Sequence, residues 1–335
     1  MKSVIVVQGT FKHGWPFIAD RLKEIWQNQG DLKVIEIDET DKRSISEVIP
    51  DPASVKRLIS LSVPVSETCL KSFTNLKEAA FVRADYSGDL QADGERAGIR
   101  MYSQIREGFW GQSVAECALA HTLCGLRRIP QLHHEILKSQ EAWDYKYQTR
   151  PEGFIRAGQF CDDPRFTSGT AEGKKVRIAG AGNIGSRYAS FMSALGADVA
   201  VWDPFAHEPC FHRAGASRIF HLDELVKDAE IFAPMLPLND STKGLITREH
   251  IMALPKGCLV VLITRATICD VDAIRERVMA DEIALSADVH DVEPLPLDDP
   301  LLGRHNVVHT PHIAGRTRDA NIQWAEMLAE QFLPA

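Results

Sequence analysis

One segment constrains this chain more than any other: Val176-Arg177-Ile178-Ala179-Gly180-Ala181-Gly182-Asn183-Ile184-Gly185. A short apolar run meets three glycines at G-x-G-x-x-G spacing. A helical pattern through Tyr188, Phe191 and Leu195 then runs to a stop at Gly196. The spacing predicts a strand that turns tightly into a helix. Gly180 permits the turn, Gly182 lets a pyrophosphate approach the backbone, and Gly185 lets the helix pack closely on the strand. The helix start offers free N–H groups and a partial positive charge to phosphates. A second expected strand, 199–202, ends in Asp203. A carboxylate there accepts bonds from ribose hydroxyls and repels a 2′-phosphate. Pro204 and Phe205 follow with no arginine, which favours NAD over NADP.

The alternation around this motif predicts the rest of the architecture. Strands are expected over 4–7, 34–37, 58–63, 79–82 and 99–102, with a helix over 17–27. From Lys175 the alternation restarts, with strands over 176–179, 199–202, 231–234, 259–263, 284–288 and 307–309 and a last helix over 319–332. Strands spaced by helices imply parallel sheets covered on both faces. Between the two series lies the longest helical pattern, 113–137, with Ser113 and Glu116 as a capping box and Pro130 expected to kink or divide it. Residues 148–173 read as a long loop. A length of 335 residues allows two domains. The formal charge of −8 argues against a nucleic-acid partner. Seven cysteines without a C-x-x-C pair suggest neither a disulfide framework nor a zinc site, and fit a reducing, cytoplasmic compartment. The apolar run 4–7 is too short for a signal sequence or a membrane span.

Three further segments each follow an expected strand: Thr264-Arg265-Ala266-Thr267-Ile268-Cys269-Asp270, Asp288-Val289-His290-Asp291-Val292-Glu293-Pro294, and Thr310-Pro311-His312-Ile313-Ala314-Gly315. Open α/β sheets place ligands at that edge. These segments, with Leu236-Pro237-Leu238 before Thr242 and Ser113-Val114-Ala115-Glu116, resemble the D-isomer-specific 2-hydroxyacid dehydrogenase family. The resemblance covers nearly the whole chain and is loose only in the first hundred residues and in 148–173. It implies a Rossmann dinucleotide domain, 112–314, inserted into a flavodoxin-like substrate domain, 1–111 completed by 315–335, with the site in the cleft. It further implies His312 as proton donor and acceptor, Glu293 as its partner and Arg265 as substrate anchor. NAD would be held by Gly180, Gly182, Asn183, Ile184, Gly185, Asp203, Pro237, Thr242, Thr264 and Asp288, the last at the nicotinamide carboxamide. A small 2-hydroxy or 2-keto acid is the implied substrate, and a homodimer the implied assembly, with no membrane or metal.

The residues themselves fit those roles. Glu293 would stabilise an imidazolium at His312, and a planar guanidinium at Arg265 suits a carboxylate. His309 and His312 have a spacing seen in metal sites, but no further ligands accompany them in sequence. Leu262 and Ala266 stand where the family carries asparagine and glycine, so Ala266 matters if that position needs φ > 0. The loop Val82-Arg83-Ala84-Asp85-Tyr86 has lost two family glycines, although the backbone of Arg83 and Ala84 is still expected to donate to the substrate carboxylate. Tyr86 and Trp110 either reshape the pocket or serve as packing. A second reading therefore stands beside the first: an NAD(H)-sensing binding protein of the same fold with little turnover.

Overall fold

The computed structural model describes residues 2–86, 88–104, 109–140, 143 and 162–333. It divides into two compact units, Met1–Phe109 with Arg316–Ala335, and Trp110–Gly315. The second is a continuous insertion in the first.

The first unit holds strands β1 (Ser3–Gln8), β2 (Leu32–Ile37), β3 (Arg57–Leu61), β4 (Glu78–Val82) and β5 (Arg100–Tyr102). They pair in the order β2-β1-β3-β4-β5, parallel throughout. That is the flavodoxin-like winding. Every residue of β1 and β3 is buried, as a parallel sheet covered on both faces requires. The chain's last helix, Arg318–Ala329, packs on Pro16–Gln27 and ties to it through Arg21 and Glu326 at 2.6 Å. Trp324 on that helix meets Phe11 with ring centroids 5.6 Å apart.

The second unit holds β6 (Lys175–Ala179), β7 (Asp198–Trp202), β8 (Ser217–Ile219), β9 (Ile231–Pro234), β10 (Leu259–Leu262), β11 (Ala284–Ala287) and β12 (Val307–His309). The order is β12-β11-β10-β9-β6-β7-β8, again parallel. This is the Rossmann winding with a seventh strand added at one edge. Because all strands run one way, the segments after β9, β10, β11 and β12 emerge at the same edge as the glycine turn after β6.

Two sequence expectations change, those for β8 and Ser113, while the division expected near Pro130 is present. Strand β8 was not foreseen: Ser217-Arg218-Ile219 is short and not fully buried, so it carries no apolar run to read. The long helix is two, Phe109–Arg127 and Ile129–Ile136, divided at Arg128 in a left-handed conformation, φ 52°. Pro130 sits in the first turn of the second, where its missing N–H costs nothing. Ser113 lies inside the first helix and caps nothing; its hydroxyl donates to the Ala314 carbonyl at 2.6 Å. Of the expected loop 148–173, residues 148–161 lie outside the described residues, and the rest carries turns and bends.

An ion pair steadies the unit's first strand. Arg177, 6% exposed on β6, donates to both carboxylate oxygens of Asp228 at 2.7 and 2.8 Å. The guanidinium holds the Asp228 carboxyl down at about 2. A depressed carboxyl contributes stability above its unfolded value near 4 and loses it as pH falls towards 2. Asp228→Asn is therefore expected to lower Tm at pH 7, by roughly 2–4 °C for each kcal/mol lost. Thermal unfolding across the range should show the gap from wild type closing below about pH 4.

Candidate active site

The glycine turn has three distinct physical reasons for its glycines. Gly180 adopts φ 108°, and a side chain there would meet the Met235 carbonyl at 2.8 Å. A Cβ on Gly185 would fall 2.0 Å from the Gly180 carbonyl, so only glycine lets the helix Gly185–Ala194 start so close to the turn. Over Gly182 there is open space, as a site for an approaching pyrophosphate needs. Asn183 caps this surface, accepting from Arg187 through its carbonyl at 2.8 Å and through its side chain. Ile184, half-buried, precedes the helix and packs on the unit's core. Asp203, just past β7, accepts from the Ala181 N–H at 2.8 Å and from the Phe205 and Ala206 N–H groups at 2.8 and 2.9 Å. A carboxylate has about four lone-pair sites, so a ribose hydroxyl still finds an acceptor.

Sequence reading found no arginine beside Asp203, and the structure corrects this. Arg218, on the unforeseen β8, donates to the Asp203 carbonyl at 3.3 Å. Its guanidinium stacks between Phe211 and Phe220, 4.9 Å from each ring. A carboxylate such as that of Asp203 repels a 2′-phosphate brought beside it. Asp203→Ser is expected to raise the NADPH-to-NADH ratio of kcat/KM by at least about tenfold, one charge-assisted bond's worth. Steady-state kinetics with both cofactors would read it, and an unchanged ratio would refute it.

The remaining cofactor candidates lie along the same edge. Thr264, buried after β10, donates to the Pro234 carbonyl at 3.2 Å. Thr242 donates to the Pro237 carbonyl at 2.5 Å, closing the loop after β9. Ala266 opens a short 3-10 turn and is absent from the positive-φ positions, so its methyl group brings no backbone strain.

His312 and Glu293 come together. His312 Nδ1 lies 2.7 Å from Glu293 Oε2, while the His290 N–H donates to the other oxygen at 2.9 Å. Burial pushes the Glu293 carboxyl up, but the bonds from His312 and His290 outweigh it and hold it below the usual range. With Nδ1 engaged, Nε2 is the imidazole atom left for a substrate. His312 adopts φ 55°, a left-handed conformation that a non-glycine residue keeps only where its surroundings enforce it. A cavity of about 550 Å³ opens beside the pair, lined also by His290, Leu295, Leu302 and His309. Arg265 follows β10, on the far side of β11 from β12; its side chain is exposed, and Nη1 donates to the Thr264 carbonyl at 2.6 Å.

Asp288, for which the resemblance implies a nicotinamide contact, anchors a loop. It is 0% exposed, and both its oxygens accept bonds from the protein. Oδ1 accepts from the Thr310 hydroxyl at 2.5 Å and the Ile313 N–H at 2.9 Å, and Oδ2 from the Ala314 N–H at 2.9 Å. The carboxylate thus anchors the loop that carries His312. His121, which sequence reading passed over, extends the anchor: its Nε2 lies 2.9 Å from the Thr310 hydroxyl oxygen.

In the first unit, Arg83 follows β4 with φ 51°, so the left-handed turn persists although an arginine occupies it. Its guanidinium stacks 5.5 Å from the Trp15 ring, and Ala84 packs against the unit's core. Tyr86 also packs there and bonds to Asp93, which makes it a packing residue. Trp110 lies half-buried in the helix Phe109–Arg127, near Gly315.

Residues 119–314, more than half of the chain, match the family described as D-isomer specific 2-hydroxyacid dehydrogenase, NAD binding domain. The chain belongs to that family. It is 29% identical over 222 residues to the D-3-phosphoglycerate dehydrogenase of Archaeoglobus fulgidus, covering 66% of this chain and 38% of that protein. The D-3-phosphoglycerate dehydrogenase of Bacillus subtilis is 36% identical over 163 residues, 48% of this chain and 30% of that protein. This chain thus spans 30–38% of the length of these relatives. The fold is that of the D-isomer specific 2-hydroxyacid dehydrogenase of Lactobacillus delbrueckii ssp. bulgaricus, solved in its NAD complexed form. The TM-score is 0.71 at 18% identity, covering 99% of this chain and 96% of that one.

Proposed function

We propose that the protein interconverts a D-2-hydroxy acid and its 2-keto acid with NAD(H). The observation that carries this reading is the His312–Glu293 pair, 2.7 Å apart, at the sheet edge that also bears the glycine turn and Asp203. The glycine turn, the helix Gly185–Ala194 and Asp203 fit a dinucleotide. When bound, it supplies or takes the hydride. The protein's own work is acid–base chemistry and positioning. In the reductive direction His312 donates a proton from Nε2 to the substrate's carbonyl oxygen as that oxygen gains charge. Glu293 holds the ring by Nδ1 and stabilises the imidazolium. Arg265 binds the substrate carboxylate.

The test follows absorbance at the reduced-nicotinamide band with glyoxylate, hydroxypyruvate, pyruvate, bulkier 2-keto acids and the keto acid of 3-phosphoglycerate. Oxidation of NADH with at least one of them is expected. Tight NADH binding with no oxidation across the panel would instead favour the sensing protein. Arg265→Lys loses the planar fork and is expected to raise KM by about 10–100-fold with a smaller change in kcat. Unchanged KM and kcat would remove Arg265 from the role.

The assembly we propose is a homodimer, supported by the exposed Ile129, Ile136 and Leu137 on and beside one short helix; light scattering tests it. Among the described residues six cysteines are free, which supports a reducing, cytoplasmic location. No described helix is long and apolar enough to cross a membrane.

A further inference from the structure

Cys117 and His121 stand four residues apart on the helix Phe109–Arg127, so they share a face. That face meets the end of β11, where the Ser286 hydroxyl donates to the His121 carbonyl at 2.8 Å. One ligand atom from each of Cys117, His121 and Asp288 then lies within 4.8 Å of the other two. His121 is 4% exposed, and its Nδ1 is buried without a hydrogen-bond partner among the described residues.

The hydrogen bonds show which lone pairs are spare. Thr310 donates its hydroxyl proton to Asp288 Oδ1, so its oxygen accepts from His121 Nε2–H. That fixes the tautomer and leaves Nδ1 as a bare lone pair. Asp288 Oδ1 accepts twice but Oδ2 only once, from Ala314, which leaves one acceptor direction on Oδ2. The Cys117 sulfur is the third donor atom. A sulfur, an imidazole nitrogen and a carboxylate oxygen brought together in this largely buried place carry a desolvation cost that a positive partner would offset.

We propose that Cys117, His121 and Asp288 form a binding site for a zinc-type divalent cation, with an open fourth position. One sulfur, one imidazole nitrogen and one carboxylate oxygen suit Zn²⁺, whereas Mg²⁺ and Ca²⁺ prefer oxygen alone. Tetrahedral bonds of about 2.0–2.3 Å put ligand atoms roughly 3.5 Å apart, so the trio closes by about 1 Å on binding. The thiol loses its proton to solvent as the sulfur–metal bond forms. Thiolate and carboxylate then neutralise the cation, so the buried site carries no net charge. The Asp288 bonds to Ile313 and Ala314 survive, because the cation takes the lone pair they leave. Sequence reading expected no metal, since Asp288 is remote in the chain and only the helix packing on β11 brings it near.

Equilibrium dialysis of the tag-free full chain against Zn²⁺ alone is expected to give one bound ion per chain, with none from Mg²⁺. Cys117→Ser and His121→Asn should each weaken Zn²⁺ binding by at least about 100-fold. Cys210→Ser, a thiol elsewhere in the unit, should leave it unchanged. Co²⁺ gives a second readout: a thiolate-to-cobalt charge-transfer band in the wild type, lost in Cys117→Ser. Should Cys117→Ser fail to fold, the wild-type Co²⁺ band and the loss of Zn²⁺ from His121→Asn decide alone. No stoichiometric Zn²⁺ binding by the wild type, or full retention in His121→Asn, would overturn the site.

Discussion

His312→Asn is expected to bind NADH as the wild type does and to lose about 10²–10⁴ in kcat, the range for a general acid. Asparagine is the informative replacement because position 312 has φ 55°, which asparagine tolerates far better than alanine. The backbone therefore stays put while the ionisable ring is removed. Glu293 loses its partner at 2.7 Å but keeps the His290 N–H, so the loop after β11 holds. Cofactor binding rests on the glycine turn and Asp203, after β6 and β7, and should not follow the loss. Fluorescence titration with NADH and single-turnover rates would separate the two effects. A variant within a few-fold of wild-type kcat would exclude His312 as the acid.

Asp288→Asn is the second large effect, and it acts through position rather than chemistry. The buried carboxylate accepts three bonds from the 310–314 loop. An amide in its place turns one acceptor into a donor facing an N–H, and a buried mismatch costs about 1–3 kcal/mol. The strained turn at His312, worth roughly 1–3 kcal/mol on its own, loses the anchor that enforces it. Expected together are a kcat lower by about 10–100-fold and a modest fall in Tm. NADH affinity separates this account from a direct nicotinamide contact. The anchor leaves Kd for NADH nearly unchanged, whereas a contact would weaken it in step with kcat.

The parts of the molecule legible in the sequence were those governed by local rules. A glycine turn between strand and helix needs particular residues at particular spacings, so Gly180, Gly182, Gly185 and Asp203 could be read directly. The apolar runs of buried strands are likewise visible, which is why two parallel sheets covered by helices could be read from the alternation. What stayed hidden was decided by packing across the chain. Strand β8 is three residues long at a sheet edge, so its Arg218 gave no warning that it would sit beside Asp203. Ser113 resembled a helix cap, yet a turn of helix precedes it and its hydroxyl serves Ala314 instead. For Asp288 the resemblance implies a nicotinamide contact, and its part in the loop was not readable. Only the folded loop of 310–314, closing over it, turns the carboxylate inwards. Cys117 read as one apolar helix position among several, and nothing in its neighbourhood pointed to Asp288.

The most direct measurement uses NADH deuterated at the transferable C4 position, with the 2-keto acid that turns over fastest. Product would be analysed by mass spectrometry and chiral chromatography. The account predicts a D-2-hydroxy acid carrying one deuterium at C2, formed by the wild type and suppressed in His312→Asn. Product without the label, product of the opposite configuration, or equal labelled product from His312→Asn would contradict it.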